Sequence, residues 1–201
     1  DLEIRGAGSI FGHKQSGHIT TVGFQMYCDL LSIEIQRASS EDLAVQKTPQ
    51  VTTSFQPDIG SDYIENMSLR IDYYYRVGSA TSFEQLNKIE KELVDVFGPI
   101  PDKTEKLLLV ASLKIKYKPT PVSQIDIQDS VLKIIIQPFD EEEQLVFLSR
   151  VGIYKHKTLK SVRFKEVSGG LLGVFLSASG SGDVFELLFD FVHLFDPIDT
   201  A

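Results

Sequence analysis

The stretch on which the fold turns is Val122-Ser123-Gln124-Ile125-Asp126-Ile127-Gln128-Asp129-Ser130-Val131-Leu132-Lys133-Ile134-Ile135-Ile136-Gln137. It follows Pro119 and Pro121 and holds two short runs rich in β-branched residues, Val122–Ile127 and Val131–Gln137, the second with three adjacent isoleucines. Each run is bounded by turn or acidic residues, and β-branched side chains pack well on a pleated surface, so both read as strands. Toward the C-terminus the pattern alternates. It predicts a helix over Asp140–Val151, strands over Ser161–Phe164 and Leu171–Leu176, and a last helix over Asp183–Leu194.

Toward the N-terminus the same stretch is preceded by three predicted helices, Asp62–Ser79, Ser82–Phe97 and Asp102–Tyr117. Ser82 stands three residues before Gln85, a capping-box spacing, and Gly98 followed by Pro99 and Pro101 stops the second helix. Leu86, Ile89, Leu93, Val96 and Phe97 form one apolar stripe, while Leu107, Leu108, Val110, Ala111, Leu113 and Ile115 make the third helix broadly apolar and central. Before this block Val51–Phe55, flanked by Pro49, Pro57 and Gly60, reads as a short strand. A β–β–α–β–β–α order behind a helical block implies an α+β fold whose small, mainly antiparallel sheet is covered by helices on one face.

With 201 residues, 42% hydrophobic and 24% charged, the chain is long enough for one ordinary domain with a short appendage and has a globular composition. Its formal net charge of -8 would repel phosphates unless its few basic residues gather on one face, so tight DNA binding by the chain alone is not expected. The single cysteine, Cys28, lies in an apolar run and reads as a small buried residue. With no partner cysteine in the chain, a reducing compartment is the natural setting. No apolar stretch approaches the roughly 20 residues needed to cross a bilayer and no secretory signal is present, so the expectation is a soluble cytoplasmic protein without membrane contact. A start at Asp1, directly inside a dense motif, reads as a piece of a longer protein.

Several features have ordinary explanations. Gly6, Gly8 and Gly12 are spaced one residue too long for a dinucleotide loop, and the preceding residues are too few and too polar for a buried strand. The Gly169–Gly173 stretch and the run ending at Gly182 lack the lysine and hydroxyl of a phosphate loop and read as turns. His13, His18, His156 and His193 are scattered without metal-ligand spacing. Asp140-Glu141-Glu142-Glu143 fits the positive end of a helix dipole better than a metal or catalytic cluster. Asn66-Met67-Ser68 is a formal glycosylation sequon without meaning in a cytoplasmic protein. Successive rings at Tyr73-Tyr74-Tyr75 would point about 100° apart on a helix, which suits mixed core and interface roles. An unfamiliar hydrolase would have to draw on His18, Asp29 or His193, and no nucleophile–base spacing supports one. No catalytic, cofactor-binding or metal residue is therefore assigned.

The first eighteen residues are different. Asp-Leu-Glu-Ile-Arg-Gly-Ala-Gly, followed by Gly12-His13-Lys14-Gln15-Ser16-Gly17-His18, sets Arg5 and Gln15 among Gly6, Gly8, Gly12 and Gly17. An amphipathic helix over Thr21–Ala38 follows, and Ser39-Ser40 with Glu41 and Asp42 breaks it. Residues 1–50 thus read as an arm set before a main domain of residues 51–201. This opening resembles the translocation motif of RecG-type and transcription-repair coupling helicases, and the resemblance implies a helical hairpin for the arm. The similarity continues through Val22-Gly23-Phe24, Tyr27 with Leu30-Leu31, Asp62-Tyr63-Ile64, Leu69-Arg70-Ile71 with Tyr74 and Arg76, Glu92-Leu93-Val94-Asp95 and Phe97-Gly98-Pro99-Ile100-Pro101. These later runs resemble the C-terminal domain of transcription-repair coupling factors, clearly to about residue 117. Tyr75 replaces a usual lysine and Val96 a usual arginine.

The resemblance implies a C-terminal part of an ATP-dependent double-stranded DNA translocase that displaces stalled RNA polymerase and recruits nucleotide excision repair. Arg5 and Gln15 would couple ATP hydrolysis to translocation, with the four glycines shaping the motif. ATP and magnesium would belong to motor domains outside this sequence, so the fragment itself would not be an enzyme. Residues 51–201 would act as an autoinhibitory clamp against a UvrB-like N-terminal module, masking the surface that recruits UvrA. The rival expectation is a free-standing protein-interaction adaptor without a motor.

Overall fold

A computed structural model describes residues 48–195, apart from 138–139, 168–170 and 181–182. All but the last three residues of the 1–50 arm lie outside the described set, including its predicted helix, Arg5, Gln15, the motif glycines and Cys28. The elements are β1 (Gln50–Thr53), α1 (Met67–Ser79), α2 (Phe83–Phe97), α3 (Asp102–Tyr117), β2 (Val122–Gln128), β3 (Val131–Ile136), α4 (Glu141–Ile153), β4 (Leu159–Val167), β5 (Leu171–Ala178), α5 (Asp183–Phe191) and a 3-10 turn (Val192–Phe195). This is the α+β order expected from the sequence.

The five strands form one sheet in the order β1-β2-β3-β5-β4. β2, β3, β5 and β4 pair antiparallel, whereas β1 lies parallel to β2, so the sheet is mixed rather than uniform. A parallel neighbour needs a long crossover connection, and α1–α3 supply it between β1 and β2. Register aligns Val51, Ile125, Ile134, Val174 and Phe164 in one row across all five strands. Because side chains alternate faces, the adjoining row is Thr52, Asp126, Lys133, Phe175 and Arg163 on the opposite face. One face is therefore apolar and the other polar.

Helices α3, α4 and α5 complete the core on the apolar face. Val110, Leu113 and Tyr117 of α3, Phe147 and Val151 of α4, and Val184, Leu187, Leu188 and Phe191 of α5 cluster with the buried strand residues. The Tyr117 hydroxyl donates to the Leu188 carbonyl at 2.7 Å, satisfying a polar group that burial would otherwise penalise.

Several boundaries depart from expectation. α1 begins at Met67 instead of Asp62, because Asn66 caps it and Asp62–Tyr63 form a turn whose amides at Tyr63 and Ile64 donate to Gly60. β4 extends from Leu159 to Val167, well beyond Ser161–Phe164, because pairing with β5 carries its charged ends into the sheet. β1 ends at Thr53, short of Phe55, whose ring packs 5.9 Å from Phe185 instead. The last α-helix stops at Phe191 and tightens into the 3-10 turn.

Candidate functional site

The residues carrying the family-like runs meet in the α1–α2–α3 block. Asn66, just before α1, accepts from the amides of Ser68 and Leu69 at 2.9 and 3.1 Å, an N-cap that fixes where the helix starts. Ser82 accepts from Gln85 N at 3.3 Å, while Gln85 Oε1 accepts from Thr81 N at 2.8 Å. The capping-box spacing is thus used reciprocally, with the return bond one residue upstream of the usual one.

Across the helices, both nitrogens of the Arg76 guanidinium fork meet the two carboxylate oxygens of Glu92, one bond at 2.8 Å. The Tyr73 hydroxyl donates to Glu92 Oε1 at 2.9 Å, and Arg76 also lies 4.9 Å from the Tyr73 ring centroid. Arg76 and then Tyr73 hold the Glu92 carboxyl well below the usual carboxylate range, at about 2. Glu92 in return pushes Arg76 upward. The Tyr63 hydroxyl sits 3.1 Å from Leu93 O and 3.0 Å from Gly98 O, and its ring meets Phe97 edge-on.

A second brace ties the loop after β1 to α1 and α3. The Tyr74 hydroxyl donates to Asp58 and accepts from Ile59 N at 2.7 Å, while the Thr104 hydroxyl donates to Asp58 O at 3.0 Å. Burial, then the bond to Asp58, pushes the Tyr74 hydroxyl well above its ordinary pKa. Arg70 donates to the carbonyls of Ile64 and Glu65 at 2.6 and 2.9 Å. The three tyrosines accordingly divide: Tyr73 is buried, Tyr74 is tied to Asp58, and Tyr75 is 50% exposed.

This block is a braced scaffold without grouped nucleophile and base. Leu69, Tyr75, Phe83, Val94 and Val96 are exposed on α1 and α2, and Val96 at 63% is the most open of them. Tyr75 and Val96, the two positions where the sequence departs from the resemblance, are both among these exposed residues. Asp140 accepts from Glu143 N at 2.8 Å as an N-cap, in line with its reading as helix-start charge. His156 Nδ1 lies 2.8 Å from the Thr158 hydroxyl, and His193 is exposed in the 3-10 turn. His18 and Asp29 lie outside the described residues. Among the described residues no group of three His, Cys, Asp or Glu could hold a metal ion, and no helix is long and apolar enough to cross a membrane.

The Asn66 cap and the Arg76–Glu92 pairing were not read from the sequence, though Asn66 shows the Asn-x-x-Leu start that could have marked the cap. The mixed polar row on the outer sheet face was also missed. Its members are separated along the chain and only register brings them together.

Residues 53–145 match the TRCF domain. The chain is similar to the transcription-repair-coupling factor of Haemophilus influenzae, 34% identical over 131 residues covering 63% of this chain. To that of Escherichia coli it is 38% identical over 120 residues, covering 57%, and to that of Bacillus subtilis 31% over 140 residues, covering 68%. The matched parts make up 11%, 10% and 12% of those relatives, so the chain spans about a tenth of their length. A solved structure described as the C-terminal domain of transcription-repair coupling factor superposes with a TM-score of 0.63, at 16% identity, over 77% of this chain and 95% of that one. That likeness concerns the fold, and it agrees with the sequence matches. The chain thus carries a TRCF domain over residues 53–145 and is similar to a part of the transcription-repair-coupling factors.

Proposed function

We propose that the chain is the C-terminal part of an ATP-dependent double-stranded DNA translocase that displaces stalled RNA polymerase and recruits nucleotide excision repair in the cytoplasm. Residues 51–201 serve as an interaction domain, an autoinhibitory clamp resting on a UvrB-like module of the same polypeptide and hiding a UvrA-binding surface. The arm carries Arg5 and Gln15, whose fork and amide engage neighbouring motor lobes and convert nucleotide-driven movement into steps. ATP and magnesium bind the motor lobes, and the fragment hydrolyses nothing by itself.

The observation that carries this reading is the surface of the matched TRCF domain. Among the described residues, five of the nine large apolar side chains that are exposed lie on α1 and α2, the helices locked by Arg76–Glu92. An exposed apolar set on a braced scaffold suits a docking partner better than a reaction. The test is UvrA capture by the full-length parent with and without residues 51–201, at fixed salt. Stronger capture after deletion supports the clamp, and unchanged capture removes it.

A further inference from the structure

The polar face of the sheet, turned away from the core, has a composition that sheet stability alone does not require. Its central row runs Asp126, Lys133, Phe175 and Arg163 on four neighbouring strands, and the next row runs Gln124, Ile135, Gly173 and Lys165. Lys133 and Arg163 are therefore the register partners of Phe175 on the two strands that flank it, one strand spacing away on each side. Asp126 is the acidic member of these two rows, and its oxygens already accept from the Thr52 hydroxyl and the Gln128 amide. In a chain of net charge -8, Lys133, Arg163 and Lys165 form a local basic patch. The salt bridges found among the described residues engage none of these three.

The ring itself lies down. Phe175 Cε2 comes within 3.2 Å of where a Cβ on Gly173 would be, so the ring leans along β5 over the bare glycine backbone. The ring stays partly exposed while it covers the glycine. Ser161 and Ser177 on the row beyond leave space beside it.

We infer that this outer face docks single-stranded nucleic acid, with Phe175 stacking beneath a base and Lys133, Arg163 and Lys165 meeting backbone phosphates. An unpaired base can reach a ring lying on a flat sheet, and every base has a π-face to offer it. A duplex keeps its bases stacked and would meet only the cations. An acidic peptide would use the same cations and leave the ring idle. The condition under which an acidic chain can still meet phosphates, basic residues gathered on one face, is satisfied here locally.

The test is fluorescence anisotropy of a labelled oligothymidylate of about ten nucleotides with the 201-residue chain, at about 20 mM salt and through a salt titration. Binding is expected, with log K falling against log salt at a slope near -1.4 to -2.1, about 0.7 for each of two or three phosphates. Phe175→Leu keeps an apolar cover over Gly173 and should weaken binding about fivefold or more with an unchanged circular dichroism spectrum. Lys133→Gln with Arg163→Gln should flatten the salt slope. Absence of binding at low salt overturns the proposal. So does equal affinity for duplex that is insensitive to Phe175→Leu, and so does a polyglutamate peptide that binds as well as the oligonucleotide.

Discussion

Arg76 and Glu92 join α1 to α2 through a two-pronged ion pair in which each guanidinium nitrogen meets its own carboxylate oxygen, with Tyr73 as a third donor. Both side chains remain partly open to water, at 33% and 43% exposure, so the pair is screened and belongs near the top of the range for exposed ion pairs, about 1 kcal/mol.

The pair makes stability depend on pH at the acid end. In the folded chain Glu92 titrates near 2, below its ordinary 4.5, so its contribution is complete above about pH 4.5 and is lost as pH falls toward 2. Thermal unfolding between pH 6 and 2 should show a steeper acid decline for the parent sequence than for Glu92→Gln. The variant should also cost about 1 kcal/mol at neutral pH. Identical pH profiles would mean that the pair contributes nothing in solution.

Asn66→Ala removes the acceptor for two amides of the first turn of α1 and should cost about 1 kcal/mol in urea unfolding. Asn66→Asp keeps the acceptor and adds a charge that the helix dipole favours, so it should match or exceed the parent. A loss in both variants would place the role of Asn66 elsewhere.

Gly98 ends α2 with φ +86° and ψ -160°, a backbone region almost closed to other residues, and a Cβ there would meet nothing within 4 Å. Gly98→Ala therefore isolates backbone strain from packing. A loss of about 1–3 kcal/mol is expected. A neutral result would show that the α2–α3 turn relaxes to another conformation.

For the arm, Arg5→Ala or Gln15→Ala in the full-length parent should leave ATP hydrolysis intact and abolish displacement of stalled polymerase. Displacement surviving both changes would remove the coupling role.

What could be read from the sequence follows the range of the interactions involved. α2 and α3 were legible almost to the residue, because Ser82 with Gln85 and Gly98 with Pro99 act within a turn or two of the helix they bound. β4 was cut short because an edge strand carrying Lys160, Arg163, Lys165 and Glu166 has few apolar residues to mark its ends. The parallel pairing of β1 was hidden because Val51 meets Ile125 only after three intervening helices. Lys133, Phe175 and Arg163 become neighbours through register alone, so the outer face could not be foreseen. For the candidate site, Arg76 and Glu92 both stand in the family-like runs, but they lie on different helices and no local pattern announces their pairing.

Tyr117 tests the other side of the sheet. Its ring is fully buried where α3 meets α5, and its hydroxyl donates to Leu188 O at 2.7 Å. Leu188 lies inside α5, where the same carbonyl can also accept a helical amide, so removing the hydroxyl need not strand it completely. Tyr117→Phe should accordingly cost about 1 kcal/mol, the net value of one hydrogen bond, while Tyr117→Ala should cost about 3–5 kcal/mol by opening a cavity between two helices. Urea unfolding of both variants separates the terms. Should Tyr117→Phe cost as much as Tyr117→Ala, the hydroxyl would be the dominant contact between α3 and α5, and the apolar packing around it would be secondary.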